Sequence, residues 1–264
     1  MSKDLYSKEW ELDKIQRRGH MSNPAKAIVT IIGVVYLFLS AQLAAVVLTY
    51  SILELLGFNS DHINTLLTDN VWVQTSFIFV IELLTIGVLA ILNRARKQNF
   101  IKSVDLHVFP YKRIFSYVLV SYLLYTIAFI IVATVVSLFV PALDTNQAQQ
   151  LGFDTPEGVE LLAVFTSLVL FPAIAEEILF RGFLFKRLSK LLSIRVAALT
   201  TSVVFGLAHL EFLSGAGLNW IAALDTFVFS FFLIYVYLKT KSLWAAILLH
   251  AIKNSIAFVL LFVI

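Results

Sequence analysis

The chain has 264 residues, of which 59% are hydrophobic and only 14% are charged. This composition excludes an ordinary water-soluble globule and predicts an all-α integral membrane protein that crosses the bilayer several times. Because the chain has no cysteine, disulfides and thiolate-bound metals are excluded. The first twenty residues are charged and lack the apolar core of a cleavable signal peptide, so the first span is expected to direct insertion.

Seven apolar segments follow one another along the chain. Residues 1–26 are polar and are predicted to form a cytosolic tail. Residues 27–150 are expected to hold three spans and an external loop, and residues 151–264 to hold four more spans. Each segment is long enough to cross a hydrocarbon core of about 30 Å. The predicted spans are 27–56, 71–92, 114–140, 159–185, 196–213, 220–238 and 243–264.

The distribution of basic residues predicts the orientation of these spans. Every Lys and Arg except Lys253 falls in segments that the alternation assigns to one side, counting Arg181 near the end of its span. The loops at 57–70 and 141–158, on the other side, contain none. The positive-inside rule therefore predicts a cytosolic N-terminus and an external C-terminus. We attribute the net charge of +3 to this topology and expect no nucleic-acid partner.

The fourth span carries ionisable residues inside an apolar helix, namely Glu176, Glu177 and Arg181. Such groups are costly at membrane depth and commonly functional. Glu177 and Arg181 are four residues apart and share a helix face, whereas Glu176 is turned by about 100°. We expect one carboxylate to pair with the arginine and the other to stay available for acid–base chemistry. A buried ion pair that only fixes helix packing is the alternative.

Two later spans carry polar residues of the same kind. His209 lies on the fifth span, and His250 and Asn254 share one face of the seventh. At about 1.5 Å per residue from the basic clusters, Glu176 and the two histidines lie roughly 13 to 21 Å deep. Helix tilt can bring them level. A single histidine in a span is more often a packing residue, but the three spans together indicate one polar site.

Two chemistries fit this set of residues. In the first, Glu176 accepts a proton from a water that His209 orients, while His250 and Asn254 donate hydrogen bonds to the developing oxyanion, and no cofactor is required. In the second, Glu176, His209 and His250 bind zinc. The chain lacks an HExxH motif, so zinc ligands would have to come from three separate helices. It has no cysteine and no serine in a nucleophile elbow, so acyl-enzyme routes are poorly supported. The residues leave both chemistries open.

Other residues within the spans have simpler interpretations. Glu82 is mid-span in the second helix and serves either in the site or in packing. Asp225 lies near the external end of the sixth span, where water can reach it. Lys253 is expected either to extend its ammonium group to the interface or to contact a carboxylate. Pro172 weakens the helix four residues before Glu176 and predicts a local kink.

Three motifs resemble a known family. They are EEILFRGFLFKRL at Glu176, FGLAHL at Phe205 and LKTKSLWAAILLHAIKNS ending at Ser255. In this order, on successive spans, they resemble the CPBP intramembrane proteases, also called the Abi or CAAX-protease family, which includes the Rce1-type prenyl-protein endopeptidases. The resemblance covers roughly residues 161–261 and implies a catalytic core made of spans four to seven.

The resemblance implies a hydrolase with three pairs of site residues. They are Glu176 with His209 to activate water, Glu177 with Arg181 as support, and His250 with Asn254 to bind the oxyanion. The family is often named as metalloproteases, which keeps zinc possible. Lys253 stands where the family is usually uncharged.

The residues and the resemblance together predict an intramembrane peptidase. Its expected partners are the lipid bilayer and a membrane-associated peptide or protein substrate. The Lys, Asn, Ile and Phe bias of the chain suggests a bacterial plasma membrane. Bacterial relatives act in bacteriocin immunity, so the alternative is a non-catalytic immunity or partner-binding protein. A proton-coupled transporter would also use intramembrane Glu and His, but the chain has no inverted repeat.

Overall fold

A computed structural model describes residues 24–107, 109, 114–140, 153, 156–210 and 217–264. Within these residues the chain is helical and contains no strand, which confirms the all-α fold. The helices are α1 (Pro24–Leu55), α2 (Ser60–Asp69), α3 (Val71–Ala95), α4 (Phe100–Ser103), α5 (Ile114–Phe139), α6 (Val159–Leu191), α7 (Ile194–Ala208), α8 (Trp220–Thr240) and α9 (Leu243–Phe262).

Six of the described helices, α1, α3, α5, α6, α8 and α9, are long and apolar enough to cross a membrane. The seventh apolar helix, α7, has 15 residues and is about 22 Å long, less than the thickness of a hydrocarbon core. It ends at Ala208 instead of near residue 213 because His209 forms its C-cap. The prediction of about seven spans therefore agrees approximately with the structure, which has six long apolar helices and one shorter apolar helix among the described residues. The N-terminal orientation stays a prediction, since residues 1–23 lie outside the described part.

Local sequence explains where most of the helices begin. An Asn or Ser side chain at the N-cap accepts a hydrogen bond from a backbone N–H in the first turn, as helix starts require. The capping residues are Asn59, Asn70, Asn99, Ser193, Asn219 and Ser242. One of these caps begins α2, a helix within a segment that was predicted to be a loop.

The helices divide into an inner and an outer group. Helix α8 packs against α5, α7 and α9, and α6 packs against α3 and α9. In α8, 56% of an apolar stretch of 18 residues is buried inside the protein, compared with 11% of the corresponding stretch in α3. The outer helices α1, α3 and α5 therefore present most of their apolar surface outward, whereas α6 and α8 supply the interior in which polar side chains meet.

Helix α6 departs from α-helical geometry at two places. Two π-helical stretches, Thr166–Leu170 and Ile178–Phe185, flank the α-helical turns Phe171–Glu177. Pro172 lacks an N–H and cannot donate to the carbonyl group four residues earlier, at Leu168. A π-helical stretch therefore lies just before Pro172, and such stretches are common at functional sites. The missing N–H leaves the Leu168 carbonyl oxygen available to another helix, and the kink at Pro172 stays a prediction.

Candidate active site

Glu177 and Arg181 form a fully buried ion pair on α6, with both side chains 0% exposed. Nη1 of Arg181 donates to Oε1 of Glu177 at 2.8 Å, and Nη2 donates to Oγ of Ser230 on α8 at 2.8 Å. The guanidinium group also stacks on Phe205 of α7, with Cζ 4.2 Å from the ring centroid. The pair expected from the four-residue spacing therefore fastens α6 to two neighbouring helices.

His250 on α9 joins the same buried network. Its Nδ1 lies 2.9 Å from Oε1 of Glu177. Because an ionised carboxylate can only accept, Nδ1 must carry the hydrogen. This contact fixes the imidazole orientation and leaves Nε2 as the nitrogen free to act elsewhere. Nε2 accepts a hydrogen bond when the ring is neutral and donates one when the ring is protonated.

Glu176 has different surroundings from its neighbour in sequence. Its side chain is 15% exposed, and its Oε2 lies 3.8 Å from Nε2 of His209. Nδ1 of His209 donates to the carbonyl oxygen of Phe205 at 2.8 Å, so Nε2 of the neutral ring presents a lone pair. Among the described residues, Oε2 of Glu176 has no hydrogen-bond partner. Two acceptor atoms thus face each other across a short gap.

Asn254 connects α9 to the irregular part of α6. Its Nδ2 donates to the carbonyl oxygen of Leu168 at 3.0 Å, within the π-helical stretch Thr166–Leu170. An amide nitrogen carries two hydrogens, so one remains for another acceptor. The bond fixes the direction of the side chain one helical turn beyond His250.

A cavity of about 250 Å³ opens between α6, α7, α8 and α9. All four residues predicted to be catalytic line it, whereas Glu177 and Arg181 do not. The cavity therefore brings together the predicted catalytic side chains of three separate spans, and the buried ion pair lies behind them. Its polar lining residues are Glu176, His209, Asp225, Thr226, His250, Lys253 and Asn254.

Sequence reasoning missed the place of Asp225. Expected at a wetted interface, it instead lines the cavity, where its Oδ2 lies 2.8 Å from Nζ of Lys253 and its Oδ1 accepts a hydrogen bond from the Tyr125 hydroxyl. Lys253 thus takes the second of its two expected positions, against a carboxylate. These residues come from α5, α8 and α9, and no local spacing relates them.

Phe205 and Glu82 also belong to the surroundings of the site. Phe205 is completely buried and makes edge contacts with His209 and His250, at ring-centroid distances of 4.7 and 6.1 Å. Glu82 is on α3, which packs against the α-helical turns that carry Glu176. The mid-span position of Glu82 was the only sequence signal for this proximity.

The described residues do not assemble a set of metal ligands. No three or more His, Cys, Asp or Glu side chains in this part of the chain are grouped so that they could hold a metal ion. Glu176 and His209 face each other, but the third residue of the predicted zinc set, His250, bonds to Glu177 through Nδ1. The zinc alternative stays a prediction without an assembled ligand set in this conformation.

Comparison with known proteins identifies one family. Residues 158–256 match the family model described as type II CAAX prenyl endopeptidase, Rce1-like. No curated protein and no solved structure gives a significant match. The matched residues include every predicted site residue and run from the start of α6 into α9. This integral membrane protein therefore matches an Rce1-like family model over residues 158–256, which confirms the resemblance of the three motifs to that family.

Proposed function

We propose that this protein is an intramembrane endopeptidase that hydrolyses a peptide bond of a membrane-associated peptide or protein. The family match supports a protease in general. The observation that carries the specific proposal is the gap of 3.8 Å between Oε2 of Glu176 and Nε2 of His209. Both atoms are acceptors and both residues line the cavity, so the gap suits a group that donates to each.

In the proposed reaction, a water molecule bridges these two acceptors. If each hydrogen bond is about 2.8 Å long and the angle between the two at the water oxygen is roughly 85 to 105°, the two acceptors are about 3.8 to 4.4 Å apart. With both hydrogens engaged, the lone pairs of the water point into the cavity, where a carbonyl carbon can approach. Glu176 takes one proton as general base while His209 keeps the water oriented. The reaction at this site requires no covalent enzyme intermediate.

The reaction then passes through a tetrahedral intermediate. The water oxygen bonds to the carbonyl carbon, and the carbonyl oxygen takes the negative charge. The second amide hydrogen of Asn254 donates to this oxyanion, and Nε2 of His250 donates to it when the ring is protonated. Glu176 returns its proton to the nitrogen of the leaving group, and the C–N bond breaks to give a carboxylic acid and an amine. The acid then transfers its proton to the amine, so the products leave as a carboxylate and an ammonium group.

The buried ion pair supports this chemistry from behind the cavity. Glu177 accepts from Nδ1 of His250 and offsets the charge of its protonated ring. Arg181 holds Glu177 in place and connects it to Ser230 on α8. His250 and Asn254 are thus oriented before the substrate arrives, which is the condition under which hydrogen-bond donors contribute most to catalysis.

The proposed partners follow from this reaction and the composition. The enzyme acts within a lipid bilayer, which we propose to be a bacterial plasma membrane, on a peptide that reaches the cavity between α6, α7, α8 and α9. On the favoured mechanism it uses no cofactor, and it binds no nucleic acid.

The test compares a host strain that carries either the wild-type chain or Glu176→Gln at equal membrane levels. Mass spectrometry of membrane and secreted peptides is expected to find specific cleavage products only with the wild type. Glu54→Gln is the matched control, because this glutamate is exposed on α1, away from the site. Identical peptide profiles for the wild type and Glu176→Gln would contradict catalysis. An unchanged phenotype in the same variant would favour the non-catalytic, bacteriocin-immunity type of function.

A further inference from the structure

The cavity contains a charged pair that the proposed mechanism does not use. Lys253 on α9 and Asp225 on α8 both line it, with Nζ and Oδ2 2.8 Å apart. Their side chains are 20% and 19% exposed, so neither is sealed inside the protein. This accessibility distinguishes the pair from Glu177 and Arg181, which are completely buried and do not line the cavity.

The two members of the pair differ in how far their hydrogen-bonding capacity is used. Each oxygen of Asp225 has a donor, because Lys253 contacts Oδ2 and the Tyr125 hydroxyl donates to Oδ1. An ammonium group has three hydrogens, and Asp225 uses one of them. Within the described residues, the further contact of Lys253 is the face of Phe229, 5.3 Å from Nζ. Lys253 thus keeps donor capacity on the side of the cavity.

Lys253 also lies near the proposed catalytic atoms. It lines the same cavity as Glu176, His209 and His250. The other nearby cation, Arg181, is fully buried and committed to Glu177 and Ser230. Among the described residues that line the cavity, Lys253 is therefore the cation that a bound peptide can reach. Attraction between charges is stronger at such a site than in water.

We propose that Lys253 binds a carboxylate of the substrate and thereby selects peptides that carry one near the scissile bond. This inference rests on the proposed peptidase function and adds a specificity-determining residue to it. The carboxylate can belong either to a free C-terminus or to an Asp or Glu side chain. Asp225 holds the ammonium group in position and, through its own negative charge, moderates the attraction.

The experiment uses the full-length protein in liposomes with an N-acylated, internally quenched peptide library. The library is made in three forms: a neutral C-terminal amide, a C-terminal carboxylate, and a C-terminal amide with one added Glu. We expect the wild type to cleave one acidic form about tenfold faster than the neutral form, as kcat/KM, since a hydrogen bond to a charged group supports that discrimination. Whichever acidic form is preferred identifies the source of the carboxylate.

Variants of the pair separate recognition from a structural role. Lys253→Gln is expected to bring the ratio of acidic to neutral cleavage close to one, mainly through KM, and Lys253→Arg to retain part of it. Asp225→Asn removes the competing charge and is expected to increase the ratio. The double variant Lys253→Gln with Asp225→Asn leaves no unpaired charge, so its expected loss of discrimination does not depend on misfolding.

Other outcomes would overturn the inference. A wild type that cleaves the three forms equally, or a Lys253→Gln variant in which all three rates fall together, contradicts recognition and assigns the pair to helix packing. Glu176→Gln distinguishes a failure of the proposed function. If wild type and Glu176→Gln process every form alike, both the peptidase proposal and this inference are wrong.

Discussion

Glu176 and Glu177 are neighbours on α6 but have opposite environments. Glu177 is completely buried, and its Oε1 accepts hydrogen bonds from Arg181 and His250. Glu176 lines the cavity, and its Oε2 faces His209 across 3.8 Å. The difference follows from helix geometry, because consecutive residues point about 100° apart.

A buried ion pair and a chemically available carboxylate can thus be made from two identical residues. The pair formed by Glu177 and Arg181 fixes the positions of α6, α8 and α9, whereas Glu176 makes no comparable contact within the described residues. Changes behind the cavity should therefore act mainly on stability, and changes at its surface mainly on turnover.

The largest expected effect is on stability, from Arg181→Ala. The substitution leaves the carboxylate of Glu177 buried without its cationic partner, which costs about 3–5 kcal/mol when one member of a buried ion pair is removed. It also removes the donor to Ser230. The free energy of unfolding in detergent, measured by denaturant titration, is the direct readout.

Two further variants control this result. Arg195→Ala removes an exposed arginine at the start of α7 and should change the free energy of unfolding by less than about 0.5 kcal/mol. The double variant Arg181→Met with Glu177→Gln removes both charges and should recover part of the loss. An Arg181→Ala protein as stable as Arg195→Ala would show that the ion pair does not support the fold.

Much of the arrangement could be predicted from sequence because it depends on local rules. Apolar length places α1, α3, α5, α8 and α9 within a few residues of their predicted bounds. The spacing of four residues pairs Glu177 with Arg181. Counting depth along three spans puts Glu176, His209 and His250 roughly 13 to 21 Å deep, a difference that helix tilt can remove. These inferences use only helix geometry and the cost of charge in lipid.

The remaining features depend on contacts between distant segments. Tyr125 and Asp225 are 100 residues apart in sequence, and Arg181 and Ser230 are 49 apart, so no short motif contains either pair. The π-helical stretches of α6 also depend on what the freed carbonyl groups meet, such as Asn254 at Leu168. Hydropathy likewise extended the fifth span beyond Ala208, because it does not register the C-cap at His209.

The next largest effect is on turnover, from His209→Gln. Glutamine removes the imidazole Nε2 that faces Glu176 and orients the water, and misplacement of a reacting group typically costs about 10²-fold in rate. We expect kcat to fall far more than KM changes, with the denaturant midpoint close to that of the wild type. His62→Gln, at an exposed histidine on α2, is the matched control. A His209→Gln protein with full turnover would remove His209 from the mechanism.

The smallest expected effect is that of metal removal. If Glu176 is a free general base, dialysis against a strong zinc chelator should leave kcat/KM unchanged, because the water is activated by proton transfer to a carboxylate. Elemental analysis of the dialysed protein, with and without added zinc, shows whether the treatment removed any metal. Activity that is lost when zinc is removed and restored when zinc is added back would assign Glu176 to a metal site. The two neighbouring glutamates would then differ as a metal ligand and an ion-pair partner, and the carboxylate that faces the cavity would no longer be the base.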